Sequence, residues 1–286
     1  MLISHTYKFI FVHIQKTGGS SIEYVLRQFD PTALREIPHE RDPQNLLKGR
    51  HVFARDIRDY LGSKIWNSYF KFAFVRNPWD RLVSWYNMIK LRGDQRTTPN
   101  NFWRYVLTHS HNFETFIKNC TDIITQLDGD KRSSAFNQID YICDEDGQII
   151  IDYIGRYENL EGSFKEAVQL MGLPPIELPH KNRFIHRHYS SYYNPQTKQI
   201  IAQRVQRDID IFGYQFEQSK DKTNLKQEVT LAADRIRRSA HKHWEKMTDA
   251  IRSSVKKQLP GLIPHYRRWK ILFVKNAFND RGIQDK

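Results

Sequence analysis

Lys16-Thr17-Gly18-Gly19-Ser20-Ser21 gathers one cation, two glycines and three hydroxyls into six consecutive residues. That combination suits a phosphate-type anion. The glycines let the backbone come close to a ligand, and Lys16 supplies a mobile positive charge. A second group, Arg76-Asn77-Pro78-Trp79-Asp80-Arg81 with Ser84 just beyond it, offers another cation and another hydroxyl. An arginine fork binds phosphate bidentately, so this group suits a second anion.

Both groups need elements to hold them. Tyr7–Ile14 is apolar and aromatic apart from Lys8 and His13, the pattern of a strand buried on both faces of a parallel sheet. After the glycines, Ile22, Val25 and Leu26 fall at helical spacing, so the turn opens onto a helix N-terminus. There the free N–H groups and the helix dipole favour negative charge. The second group repeats the arrangement: a strand over Tyr69–Val75, then a helix through Leu82, Val83, Tyr86 and Ile89. Pro78 suits its first turn, where the missing N–H costs nothing. Two such turns on one parallel sheet open at the same carboxyl edge, and a ligand with two separated phosphate-type groups would fit them. An ATP or GTP P-loop puts its Lys after the glycines, whereas Lys16 precedes them. Ile149-Ile150-Ile151-Asp152 resembles a metal-holding strand end, but it follows directly on a hairpin turn, and no metal site is expected.

The rest of the chain reads as an α/β domain followed by an appendage. Pro31–Lys48 is a polar connection, Asp56–Leu61 a short helix, and 93–111 a loop with a short helix around Phe102–Leu107. Phe113–Cys120 is helical. Ile139–Cys143 and Gln148–Ile154 around Asp144-Glu145-Asp146-Gly147 have hairpin composition. Leu160–Met171 is a helix ended by Gly172, and Thr197–Ile211 is another, closed by Phe212-Gly213-Tyr214. From Leu225 to Leu259, apolar residues at spacings of three and four describe one long amphipathic helix, stopped by Pro260-Gly261.

Charge follows the same division. Residues 219–286 hold 17 of the 45 basic and 7 of the 32 acidic side chains, a net +10 out of +13. The body is close to balanced, so charge gives no reason to expect a nucleic-acid partner. The basic tail suits packing on the domain, pairing with a second copy as a homo-oligomer, or peripheral contact with a membrane surface. No apolar run approaches the roughly 20 residues of a membrane span. Only two cysteines occur, which predicts a reducing compartment and packed thiols rather than a disulfide or zinc framework.

FVHIQKTGGSSIEYVL resembles the 5′-phosphosulfate-binding loop of the sulfotransferases, whose donor is 3′-phosphoadenosine 5′-phosphosulfate (PAPS). FAFVRNPWDRLVSWY resembles their 3′-phosphate-binding motif, in the branch that includes the carbohydrate sulfotransferases and their bacterial relatives. GRHVFARDI is similar to the segment that carries the catalytic His of heparan 2-O-sulfotransferases. IGRYENLEGSFKEAVQLMGL and RDIDIFGYQF resemble later landmarks. The likeness runs from about Tyr7 to Phe216 and leaves the tail uncovered. Gln15 stands where the family usually has Pro, a change that softens the turn without removing a ligand.

The resemblance implies a P-loop-like three-layer α/β fold over 1–218, with a central, mostly parallel sheet flanked by helices, and a basic helical extension over 219–286. It implies transfer of a sulfuryl group from PAPS to a hydroxyl acceptor, with carbohydrate suggested by the branch alone and PAP as product. Lys16 would sit near the bridging oxygen, Thr17, Gly18, Gly19, Ser20 and Ser21 would bind the 5′-phosphate, and Arg76 and Ser84 the 3′-phosphate. Arg81 would be a structural ion-pair former. His51, in the matching segment, would be the general base, since an imidazole titrates in the useful range. Glu23 and Asp56 rank behind it, and His13 is expected to be packed inside the first strand. His180, Lys181, Arg183, His186, Arg187 and His188 form a basic cluster suited to the donor or an anionic acceptor. With no anchor, a soluble cytoplasmic enzyme of bacterial type is expected. The rival readings are a P-loop-type kinase and a non-catalytic binder of sulfated or phosphorylated polymers.

Overall fold

Alternation along two neighbouring strands sets the architecture. The computed structural model describes residues 1–35, 51–92, 101–122, 136–178 and 187–218. Strand β1 (Leu2–Ser4) runs antiparallel to β2 (Phe9–Val12). Strands β3 (Phe70–Val75) and β4 (Tyr153–Arg156) continue the sheet in parallel, in the order β1-β2-β3-β4. Phe9, Phe11, Phe72 and Phe74 point to one face, and Ile10, Val12, Ala73 and Val75 to the other. All eight are buried, as the unbroken apolar runs require of strands covered on both sides.

Each face has its own helices. On the phenylalanine face lie α1 (Gly19–Phe29), through Ile22, Val25 and Leu26, and α7 (Leu160–Leu170), through Phe164, Ala167 and Val168. The opposite face receives α2 (Ala54–Leu61), α3 (Ser63–Ser68) and the end of α9 (Gln206–Phe212), through Ile57, Trp66 and Phe212. Three layers result, in a mixed α/β fold with a mostly parallel open sheet. A separate helical core, rich in tryptophan and phenylalanine, joins α4 (Pro78–Arg92), α5 (Asn101–His109), α6 (Phe113–Cys120) and α8 (Pro195–Arg204). Burying one aromatic side chain of this kind contributes about 2–3 kcal/mol.

Three expected elements differ. The first strand is shorter than the apolar run Tyr7–Ile14, because Tyr7 and Lys8 lie in an exposed turn and His13 and Ile14 follow its end. The hairpin over Ile139–Ile154 is shorter than expected: its turn at Asp144–Gly147 forms, with Asp144 N–H donating to the Gln148 carbonyl at 2.9 Å and Ile150 N–H to the Ile142 carbonyl at 3.0 Å. Ile139–Tyr141 winds into a 3-10 turn, because the buried Asp208 carboxylate accepts from the Gln138 and Ile139 N–H groups, at 2.8 and 3.0 Å. Beyond the Cys143–Ile149 bridge and the Ile142–Ile150 bond the two arms part, and Tyr153–Arg156 pairs with β3. The single helix expected over Thr197–Ile211 breaks at Val205. The break lets Ile201 and Val205 face the helical core while Phe212 turns to the sheet.

Cys120 and Cys143 are buried thiols, and burial pushes Cys120 up to about 11 and raises Cys143. The tail helix and the 219–286 extension lie outside the described residues. No helix among the described residues is long and apolar enough to cross a membrane.

Candidate active site

The chain leaves β2 and β3 at the same edge of the sheet, and both expected turns stand there. In the first, Lys16 adopts φ 69° and Gly18 φ 84°, so the backbone turns sharply before α1. Thr17 is buried, and its Oγ1 donates to the Ile14 carbonyl at 3.0 Å, which ties off the turn. Gly18 occupies the N-cap position with no side-chain cap. The first-turn N–H groups of α1 therefore meet no capping side chain from that residue. Ser20 is exposed and Ser21 buried.

The glycines have a further reason to be there. A Cβ on Gly19 would lie 2.2 Å from Cδ2 and 2.3 Å from Nε2 of His13. One on Gly18 would meet Leu160 at 2.8 Å, on a backbone that already favours glycine. Close approach to neighbouring side chains, as well as to any ligand, demands them.

The second turn is held from below. The Gln138 side-chain amide pairs with the Arg76 peptide unit, accepting from its N–H and donating to its carbonyl, both at 2.8 Å. Asn77 caps α4, its Oδ1 accepting from Trp79 N–H at 3.1 Å. Arg76 is buried; its Nε and Nη2 donate to Asp80 at 2.9 and 2.8 Å, and its guanidinium stacks 3.9 Å over the Tyr157 ring. The remaining arm, Nη1, donates to the Lys16 carbonyl at 3.1 Å. One hydrogen bond thus joins the two turns.

Lys16 Nζ rests against Met88 Sδ at 3.3 Å. Ser84 lies one helical turn before Met88, and residues four apart share a helix face. Ser84 is therefore on the side of α4 that faces Lys16, which spacing alone left undecided.

His51 stands just before α2, and its Nδ1 is 2.8 Å from the His13 carbonyl. A carbonyl only accepts, so Nδ1 carries the hydrogen and Nε2 is the basic nitrogen of the neutral ring. His13 is packed, as expected, but against the site: its ring meets that of His51 edge-on at 4.6 Å, and its Nδ1 faces Glu23 at 3.2 Å. Glu23 is buried and paired also with Arg35, which makes it a partner of His13. Sequence reasoning missed this link. Its only signal is the run of a His, the glycine pair and a Glu on the first turns of α1.

Other expectations resolve as follows. Arg81 is structural, but its Nε and Nη1 donate to the Gln15 and Phe136 carbonyls at 3.0 and 3.1 Å rather than to a carboxylate. Full burial lowers its pKa, against the attraction of Tyr141 and Asp208. Gln15 does not soften the turn: it is buried, and its Oε1 accepts from Tyr141 at 3.0 Å. Asp152 pairs with Lys71, by backbone at 2.7 Å and by side chain at 3.0 Å. That is the amino end of β3, away from the cradle, so it cannot serve a nucleotide metal there. Among the described residues no cluster of His, Cys, Asp or Glu could hold a metal ion. His188 caps a 3-10 turn through Ser190, and Arg187 is exposed. His180, Lys181, Arg183 and His186 lie outside the described residues.

The α/β fold thus brings two joined cationic turns to one sheet edge, with an oriented imidazole beside them. The sequence profile of the sulfotransferase family matches residues 1–215, and the chain belongs to that family. It is similar to carbohydrate sulfotransferase 10 of Xenopus laevis, 23% identical, over 75% of this chain and 67% of that protein. It is also similar to an uncharacterized protein of Archaeoglobus fulgidus, 28% identical, over 41% of this chain and 80% of that one.

Proposed function

We propose that the chain transfers a sulfuryl group from PAPS to a hydroxyl on a carbohydrate. The observation that carries this reading is the Arg76–Lys16 bond, which brings the two anion-binding turns to one place. Sulfotransferase membership and the likeness to a carbohydrate sulfotransferase support the donor and the acceptor class.

The cradle suits the donor. Gly18 and Gly19 open the backbone at the start of α1, where N–H groups and the helix dipole favour the 5′-phosphate, with Thr17, Ser20 and Ser21 beside them. Arg76, oriented by Asp80 and Tyr157, and Ser84 on the facing side of α4 take the 3′-phosphate. When bound, PAPS supplies an activated sulfuryl group with PAP as leaving group. His51 Nε2 accepts the acceptor hydroxyl's proton as its oxygen forms the new S–O bond. As the bond to the 5′-phosphate breaks, its electron pair stays on the phosphate oxygen, and Lys16 stabilises the charge developing there. Catalysis is then mainly placement plus electrostatics.

The test is transfer of radiolabelled sulfate from PAPS to a desulfated polysaccharide. The wild-type chain transfers label, and His51→Ala slows transfer on the order of 10²-fold or more while PAP binding is retained. Unchanged transfer by His51→Ala removes it as the base. A chain that binds PAP but labels no hydroxyl acceptor would be a binder, not an enzyme.

A further inference from the structure

His13 lies at the point where the base and the anion cradle meet. Its carbonyl holds His51 Nδ1 at 2.8 Å, and its ring meets the His51 ring edge-on, at 74° and 4.6 Å between centroids. The same ring covers Gly19 so closely that a methyl group there would lie 2.2 Å from Cδ2. On its far side it stacks on Phe11 at 5.4 Å. Its Nδ1 faces Glu23 Oε2 at 3.2 Å, and the other Glu23 oxygen pairs with Arg35. His13 and Glu23 are 3% and 2% exposed. A buried carboxylate costs several kcal/mol of desolvation, and apolar residues would fill the space more cheaply. What the pair adds is orientation. It fixes the ring at Nδ1, so that the carbonyl and the ring of residue 13 present one fixed surface to His51.

We propose that His13, latched by Glu23, is a positioning residue of the transfer reaction. It holds His51 in the Nδ1–H tautomer and ties its place to the Gly19 backbone of the anion cradle. The proposal rests on the reading of His51 as the base. A misplacement of about 1 Å in a reacting group costs on the order of 10²-fold in rate, so a loosened residue 13 acts on turnover more than on donor binding.

The experiment uses the full chain, with three readouts: turnover with PAPS and a desulfated polysaccharide, calorimetric affinity for PAP, and imidazole proton–nitrogen correlation spectra of His51. His13→Asn keeps an amide near the Nδ1 position and deletes the rest of the ring. It is expected to lower kcat by about 10- to 100-fold with KM for PAPS and PAP affinity changed by less than about threefold, and to turn the His51 signal from the Nδ1–H tautomer to a mixture. Glu23→Gln keeps the size and one acceptor oxygen, and a smaller change in the same direction is expected; it carries the test if His13→Asn does not fold. The proposal is overturned if the variants leave the His51 tautomer and kcat as in wild type. Loss of PAP affinity equal to the loss of kcat also overturns it, because His13 would then only support the cradle. Failure of the underlying reading looks different: His51→Ala would keep wild-type turnover, whatever the spectra show.

Discussion

The two turns at the sheet edge are built in opposite ways. At Lys16–Ser21 the work is done by backbone: positive φ at Lys16 and Gly18, an N-cap without a side-chain bond, and glycines under the rings and branches of His13 and Leu160. At Arg76–Ser84 the backbone is already occupied, by Gln138 on the Arg76 peptide and by Glu158 on the Asn77 N–H, and the helix carries its own cap. What that turn presents is a side chain, Arg76, held in place by Asp80, Tyr157 and the Lys16 carbonyl. In the proposed reaction, a phosphate next to the reacting bond would be held by N–H groups and a lysine, and a phosphate remote from the chemistry by a rigid arginine. On that proposal the first turn would act on rate and the second on affinity.

The sharpest way to break this division is Lys16→Met. Turnover is expected to fall on the order of 10²- to 10³-fold, as for loss of one donor to a developing charge, with a much smaller effect on PAP affinity. Equal losses in both would make the first turn a plain binding element. Next is Gln138→Leu, which strands the Arg76 N–H and carbonyl in the core and deprives the Asp208 carboxylate of one donor. A loss of about 2–4 kcal/mol in denaturant unfolding is expected. The buried Asp208 carboxyl has its pKa raised by desolvation, and Arg81 and the Gln138 and Ile139 N–H groups hold that rise down. Gly19→Ala forces a methyl into the His13 ring and is expected to cost about 1–3 kcal/mol, with donor binding weakened as well. An unchanged melting temperature would show that the ring yields easily.

The smallest effect lies away from both turns and serves as a control. Burial would raise the Asp30 carboxyl, but hydrogen bonds from Ser4 and Thr32 outweigh it and hold it below its ordinary 3.8. Its contribution is therefore present above pH 3.8 and lost as the pH falls through the lower folded value. Ser4→Ala is expected to cost about 1 kcal/mol at neutral pH and less in acid, with turnover unchanged. A cost that grows in acid would contradict the sign.

Much of this was legible in the residues, and the exceptions have a common cause. Residues Tyr69–Val75, Pro78–Ile89 and Phe113–Cys120 read correctly because local pattern decides them: continuous apolar strands, a proline at a helix start, apolar spacing of three and four. The 3-10 turn at Ile139–Tyr141 and the break at Val205 depend on long-range packing: Asp208 takes the Gln138 and Ile139 N–H groups, and Val205 and Phe212 face different cores. A charged residue on an amphipathic helix carries no local sign of facing inward. His13 and Glu23 were hidden for the same reason: one sits in an apolar strand pattern and the other on a helix, and only packing brings them to His51. The two cationic turns are plain from residue type alone, whereas the bond between Arg76 and the Lys16 carbonyl is a long-range contact that needs the fold.

If the two turns form a two-point clamp, PAP and ADP bind the wild-type chain unequally. The two nucleotides share adenosine and a 5′-phosphate end; ADP has no 3′-phosphate. Calorimetric titration is expected to give at least tenfold tighter binding of PAP, a preference that Arg76→Ala abolishes by weakening PAP toward the ADP value. Equal affinity for PAP and ADP in the wild-type chain, or an undiminished preference in Arg76→Ala, would contradict the clamp.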